Sequence, residues 1–69
     1  MPIIIGQQGE NYLIKKIIGN DETKKFLSSL GFVVGEVVTI ISKNGNNLIV
    51  NIKDSRIALG QSMASRIMV

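Results

Sequence analysis

No histidine and no cysteine occur among the 69 residues. The side chains that most often serve as general base, thiolate nucleophile or soft metal ligand are therefore missing. The anionic groups are Glu10, Asp21, Glu22, Glu36, Asp54 and the terminal carboxylate. Only Asp21 and Glu22 are neighbours, and they open an apolar-periodic stretch, where capping and the helix dipole account for them. Met63 and Met68 carry thioethers, softer donors than Fe(II) prefers, and they read as packing residues or partner surface. Serines are present, but no base stands ready to activate them and no two carboxylates have a recognisable catalytic spacing. Gly6-Gln7-Gln8-Gly9 lacks the lysine and the glycine count of a phosphate-binding loop and reads as a turn. The expectation is a binding module that is not an enzyme, with no cofactor and no metal site of its own.

What could be bound is constrained by charge. Eight Lys and Arg against five Asp and Glu leave +3, with a pI near 9.6. The basic residues Lys15, Lys16, Lys24, Lys25, Lys43, Lys53, Arg56 and Arg66 are scattered along the chain. A nucleic-acid site joins clustered cations to exposed aromatic faces, and the only aromatics are Tyr12, Phe26 and Phe32. Both phenylalanines suit packing. A small nucleic-acid-binding barrel is thus the alternative reading, behind an acidic protein partner or approach to an anionic membrane leaflet. Unbroken apolar runs reach three residues, far short of the roughly 20 that a spanning helix needs. Met1-Pro2-Ile3-Ile4-Ile5 lacks the basic start of a secretory signal, so a cytoplasmic location is expected.

The elements that must position these residues are mostly strands. Twelve Ile and six Val stand against five Leu and two Ala, and stiff β-branched side chains favour a pleated surface. After the short apolar arm Pro2–Ile5, Tyr12 to Ile18 reads as a first strand. Asn20 or Asp21 can cap a helix running from Glu22 to Leu30, with Phe26, Leu27 and Leu30 on its buried stripe. In Leu30-Gly31-Phe32, glycine takes the left-handed position that closes a helix, and Phe32 packs back on Leu27. Asn44-Gly45 predicts a two-residue hairpin turn that pairs Ile41 with Leu48, Thr39 with Val50 and Val37 with Ile52. That register leaves Val38, Ile40 and Ile49 facing outward, unless the Ile3-Ile4-Ile5 arm covers them. Asp54-Ser55 predicts a second tight turn, Arg56 to Leu59 a short strand, Gly60 to Ser65 at most one helical turn, and Arg66 to Val69 a last strand. Five strands in so short a chain imply a small closed or nearly closed barrel, which also hides its edges.

Leu27-Ser28-Ser29-Leu30-Gly31-Phe32-Val33-Val34-Gly35 resembles the helix exit of the FeoA family, L-x-x-L-G-[aliphatic]-x-x-G. The ending from Arg56 to Val69, with Ile57-Ala58-Leu59, Ala64, Ile67 and Val69, is similar to that family's I-A-L-x-x-x-x-A-x-x-I-x-V. Gly9, the strand Leu13 to Ile18 and Gly19 match its opening. Val34 departs from the pattern, since proline is common there, and Lys25 stands where arginine is frequent. The resemblance implies one domain over residues 1–69, a five-stranded SH3-like barrel with one α-helix inserted after the first strand. It implies a cytosolic accessory of FeoB, the membrane ferrous-iron transporter with a GTP-hydrolysing domain, whose uptake or GTPase activity it would modulate. A transition-metal-binding label attaches to the family, although the ligands present do not suit direct binding. FeoA-like domains also end metal-dependent repressors, which makes a regulatory domain of that kind a further alternative. Two contact surfaces are candidates: the Val38, Ile40 and Ile49 patch, and the helix with its exit, comprising Lys24, Lys25, Leu27, Phe32 and Val33.

Overall fold

The computed structural model describes residues 1–69. A 3-10 turn, Ile3–Ile5, leads to strands β1 (Asn11–Leu13) and β2 (Lys16–Ile17), then helix α1 (Asp21–Ser29). Strands β3 (Val37–Asn44), β4 (Asn47–Ile52) and β5 (Ser55–Leu59) follow, then the short helix α2 (Gln61–Ala64) and β6 (Ile67–Met68). A four-stranded antiparallel sheet has the order β1-β3-β4-β5, and β2 pairs with β6 in a second, two-stranded sheet. The mainly β architecture, with α1 inserted after the first strands, is as expected. The strand count rises to six because the expected strand Tyr12 to Ile18 breaks after Leu13 and its two parts join different sheets. The break is held by Ile14, whose N–H donates to the Glu36 carbonyl and whose carbonyl accepts from Gly35.

Helix α1 starts as its polar flank dictates. The Asn20 side chain accepts from the Thr23 N–H at 2.8 Å, and Asp21 and Glu22 occupy the first turn, satisfying a free donor and the dipole. Its exit is a full Schellman closure: Phe32 N–H donates to the Leu27 carbonyl at 3.0 Å and Gly31 N–H to Ser28 at 2.9 Å, with Gly31 at φ +103°. Leu27 and Phe32 are buried. Phe26, expected on the same stripe, is instead half exposed (50%). The nine-residue helix buries too narrow a stripe to include it.

The β3–β4 hairpin departs from the expected register. Its turn is Gly45-Asn46, Asn44 pairs with Asn47 and Lys43 with Leu48, and a bulge between Ile40 and Ser42 returns Ile40 to a position opposite Val50. Gly45 takes φ +62° while Asn46 stays at negative φ, the pattern of a turn with glycine at its first central position. The bulge decides which face of β3 is inward. It sends Val38 and Ile40 into the core beside Leu48, Val50 and Ile52 and turns Thr39 outward, where its hydroxyl donates to Asn11 Oδ1. The opposite choice would have buried that hydroxyl in place of a branched alkyl group, which costs more unless it is hydrogen-bonded. Lys43, across from Leu48, is exposed, and its ammonium group donates to the Gly6 carbonyl at 2.9 Å. The next turn is Lys53-Asp54, both at positive φ, one residue earlier than expected, so β5 begins at Ser55 and sets Ile57 opposite Val50.

Twelve buried residues, all apolar, form one contiguous core, and no polar or charged residue is buried. The amino-terminal arm belongs to it. Ile3 is fully buried, and Gly6 lies so close to Ile40 and Tyr12 that a Cβ there would stand 2.7 Å from Ile40 Cδ1.

Candidate functional site

Four elements meet around one groove of about 370 Å³. The β1–β2 corner supplies Lys15, β2 supplies Lys16 and Ile17, α1 supplies Lys24 and Ser28, and the helix exit supplies Phe32, Val33 and Val34. Each wall is fixed by backbone bonds. On the corner, Lys15 N–H donates to the Met68 carbonyl and Ile18 N–H to that of Arg66. The exit is set by the Schellman closure and by a turn in which Glu36 N–H donates to the Val33 carbonyl at 3.1 Å, with Gly35 at φ +95°. On α1, Lys24 and Ser28 stand four residues apart and so share a helix face.

The groove floor is apolar and its rim is cationic. Phe32 is buried, Ile17 and Val33 are half-buried, and Val34 is 65% exposed, while Lys15, Lys16 and Lys24 reach solvent. No acidic residue lines it, and the molecule's one ion pair, Lys53 to Glu36 at 3.6 Å, lies outside. Beside the groove, Leu13 and Val37 are register partners on the sheet and both are about half exposed. With Val34 they extend the apolar surface.

The structure sorts the residues expected to meet a partner. Lys24, Phe32 and Val33 line the groove. Lys25 is exposed on α1 outside it, and Leu27 is in the core. Val38 and Ile40 are fully buried, so the outward patch expected on the hairpin does not exist; the bulge inverts that face. Ile49 is half-buried on the outer face of the sheet, opposite Ser42 and Ala58. Lys15, Lys16, Ile17, Ser28 and Val34 line the groove without having been expected there. Two consecutive lysines inside a supposed strand were the available signal, because alternation would turn one of them inward.

An apolar floor under a cationic rim can recognise a ligand that is both apolar and anionic. No three His, Cys, Asp or Glu side chains come together to hold a metal ion. Neither Ser28 nor any other groove residue has a base beside it.

The FeoA domain family model matches residues 1–69. A Methanocaldococcus jannaschii protein named "Putative Fe(2+) transport protein A" is 31% identical over 68 residues, covering 99% of this chain and 83% of its own. Among solved structures, Stenotrophomonas maltophilia FeoA in complex with zinc, described as a procaryotic SH3 domain protein, superposes with a TM-score of 0.88. It is 29% identical and covers 100% of this chain and 88% of its own. The crystal structure of an iron uptake regulatory protein, also FeoA, has a TM-score of 0.93 at 23% identity, covering 100% and 93%. A manganese-dependent transcriptional repressor shares the fold at 14% identity and a TM-score of 0.88, this chain spanning 39% of it.

Proposed function

The chain belongs to the FeoA family, and from that premise we propose that it is a non-catalytic, cytosolic accessory protein of ferrous iron transport that acts by binding the cytosolic part of a FeoB transporter. The observation that carries this reading is the exposed apolar surface of Leu13, Val34 and Val37 beside the lysine-rimmed groove. Apolar surface left open next to uncompensated charge fits a protein contact. The relatives tie the family to Fe(2+) transport, and nothing in the groove could carry out hydrolysis. Modulation of uptake or of GTP hydrolysis would then follow from differential binding to states of the transporter.

Nucleic acid is the weaker occupant because no exposed aromatic lines the groove beside the lysines, and the half-exposed Phe26 stands on α1 outside it. Phe32 is buried, and the Tyr12 hydroxyl accepts from the Gln7 N–H at 2.8 Å. The test is a binding measurement between the purified protein and the cytosolic part of FeoB, with RNA in parallel. Saturable binding to FeoB, weakened by Val37→Asp and accompanied by little RNA retention at physiological salt, is expected. Tight RNA binding that falls by roughly 0.7–0.9 log units per log unit of salt for each phosphate contacted, with no affinity for FeoB, would reverse the assignment.

A further inference from the structure

We infer that the groove between α1 and the helix exit seats a short acidic segment of a partner protein, with an apolar side chain on the groove floor and carboxylates on Lys15, Lys16 and Lys24. The inference deepens the transporter-binding reading and rests on it for the identity of the partner. Three lysines line one groove, with no acidic residue among its lining and no salt bridge to any of them. Like charges gathered in this way repel one another, and no carboxylate of the chain pairs with any of them, so an anionic ligand gains from all three together.

The apolar floor narrows the class of anion. Ile17, Phe32, Val33 and Val34 supply hydrocarbon but no buried hydrogen-bond donor, so a bare phosphate would leave the floor unused. The volume of about 370 Å³ lies at the small end of the range for ligand pockets and suits a few side chains. A bilayer surface is broad and cannot enter a groove walled by a helix and a loop. A peptide that alternates apolar and acidic residues fills both the floor and the rim. The walls are already held by the Schellman closure and by the corner bonds to Met68 and Arg66, so little ordering is needed on binding.

The probe is a fluorescein-labelled peptide of alternating Glu and Leu, compared with its Lys–Leu counterpart, followed by anisotropy. The same variants are measured against the cytosolic part of FeoB. The expected result is saturable binding of the Glu–Leu peptide only, weakened roughly tenfold by the double substitution Lys15→Glu and Lys24→Glu. Lys25→Glu alters charge on the same helix outside the groove and should change affinity less than twofold. Val34→Asp, at an exposed site, should weaken both interactions without unfolding the protein. Equal losses from Lys25→Glu and Lys24→Glu would overturn the inference, since net charge alone would then explain them. Full FeoB affinity in the double variant would overturn it while leaving the transporter reading intact. No FeoB binding by the unaltered protein would overturn the transporter reading, and the peptide arm would still decide the groove. Anionic phospholipid vesicles or RNA competing through the same lysines better than the peptide would also overturn it.

Discussion

At the scale of single residues, the helix exit concentrates the most local information. Gly31 sits at φ +103° with ordinary van der Waals room around it, the nearest atom to an added Cβ being Lys53 Cδ at 3.6 Å. The cost of a substitution there is therefore backbone strain and not collision. Gly31→Val should destabilise the protein by about 1–3 kcal/mol, the strain of a side chain held at an unfavourable φ, read as a lower denaturation midpoint at unchanged slope. An unchanged midpoint would show that the closure is not as described. Val34 is the opposite case. It is the second residue of the Val33–Glu36 turn, and its N–H is absent from the loop hydrogen bonds. Proline suits that position in a turn of this kind. Val34→Pro should stabilise by about 0.4–1 kcal/mol by restricting the unfolded chain, measured in the same denaturation series. A loss of stability would mean that Val33 cannot take the extended backbone required ahead of proline.

At the scale of elements, the bulge in β3 determines the inward face, and paired substitutions test it. Ile40 is fully buried and Val37, three residues earlier, is 52% exposed. Ile40→Asp should abolish cooperative unfolding, because an unpaired carboxylate in an all-apolar core costs a large part of a small domain's stability. Val37→Asp should leave the fold intact. Two folded variants, or two unfolded ones, would refute the register. Helix α1, its cap and its closure were legible because each depends on interactions within a few residues: Asn20 with Thr23, Leu27 with Phe32. The existence of the hairpin and the inward face of β4 were legible for the same reason. The register was not. It depends on a bulge that pays off only through contacts with β1 and the amino-terminal arm, far away in sequence, and the Asn-Gly pair pointed to a turn one residue too early. The split of the first strand was hidden likewise, since Ile14 is anchored by Gly35 and Glu36. Hence three of the eight groove residues were visible in advance, Lys24, Phe32 and Val33, and those on the β1–β2 corner were not.

At the scale of the whole molecule, the groove depends on a clasp between the two ends of the structure. The β2–β6 ribbon has only two residue pairs, Lys16 with Met68 and Ile17 with Ile67, and a two-stranded ribbon has little stability alone. The arm extends it: Pro2 bridges Met68, Val69 N–H donates to the Met1 carbonyl at 2.7 Å, and the Met1 amino group donates to the Val69 oxygen at 2.8 Å. Ile3 anchors the arm in the core and contacts α2 through its turn. Removing residues 1–5 should therefore loosen the ribbon first. The N–H groups of Lys15 and Ile18, bonded to Met68 and Arg66, should exchange with deuterium faster, while the β4 amides keep protection until global unfolding. Affinity for the Glu–Leu peptide should fall with them, because Lys15, Lys16 and Ile17 form one wall of the groove. Ile3→Ala, which keeps the arm's backbone bonds but empties its core site, should cost about 2–5 kcal/mol and yield a smaller change in ribbon exchange relative to β4. If truncation instead speeds exchange equally in β2, β4 and β6, the arm stabilises the core as a whole and the groove wall is no separate unit.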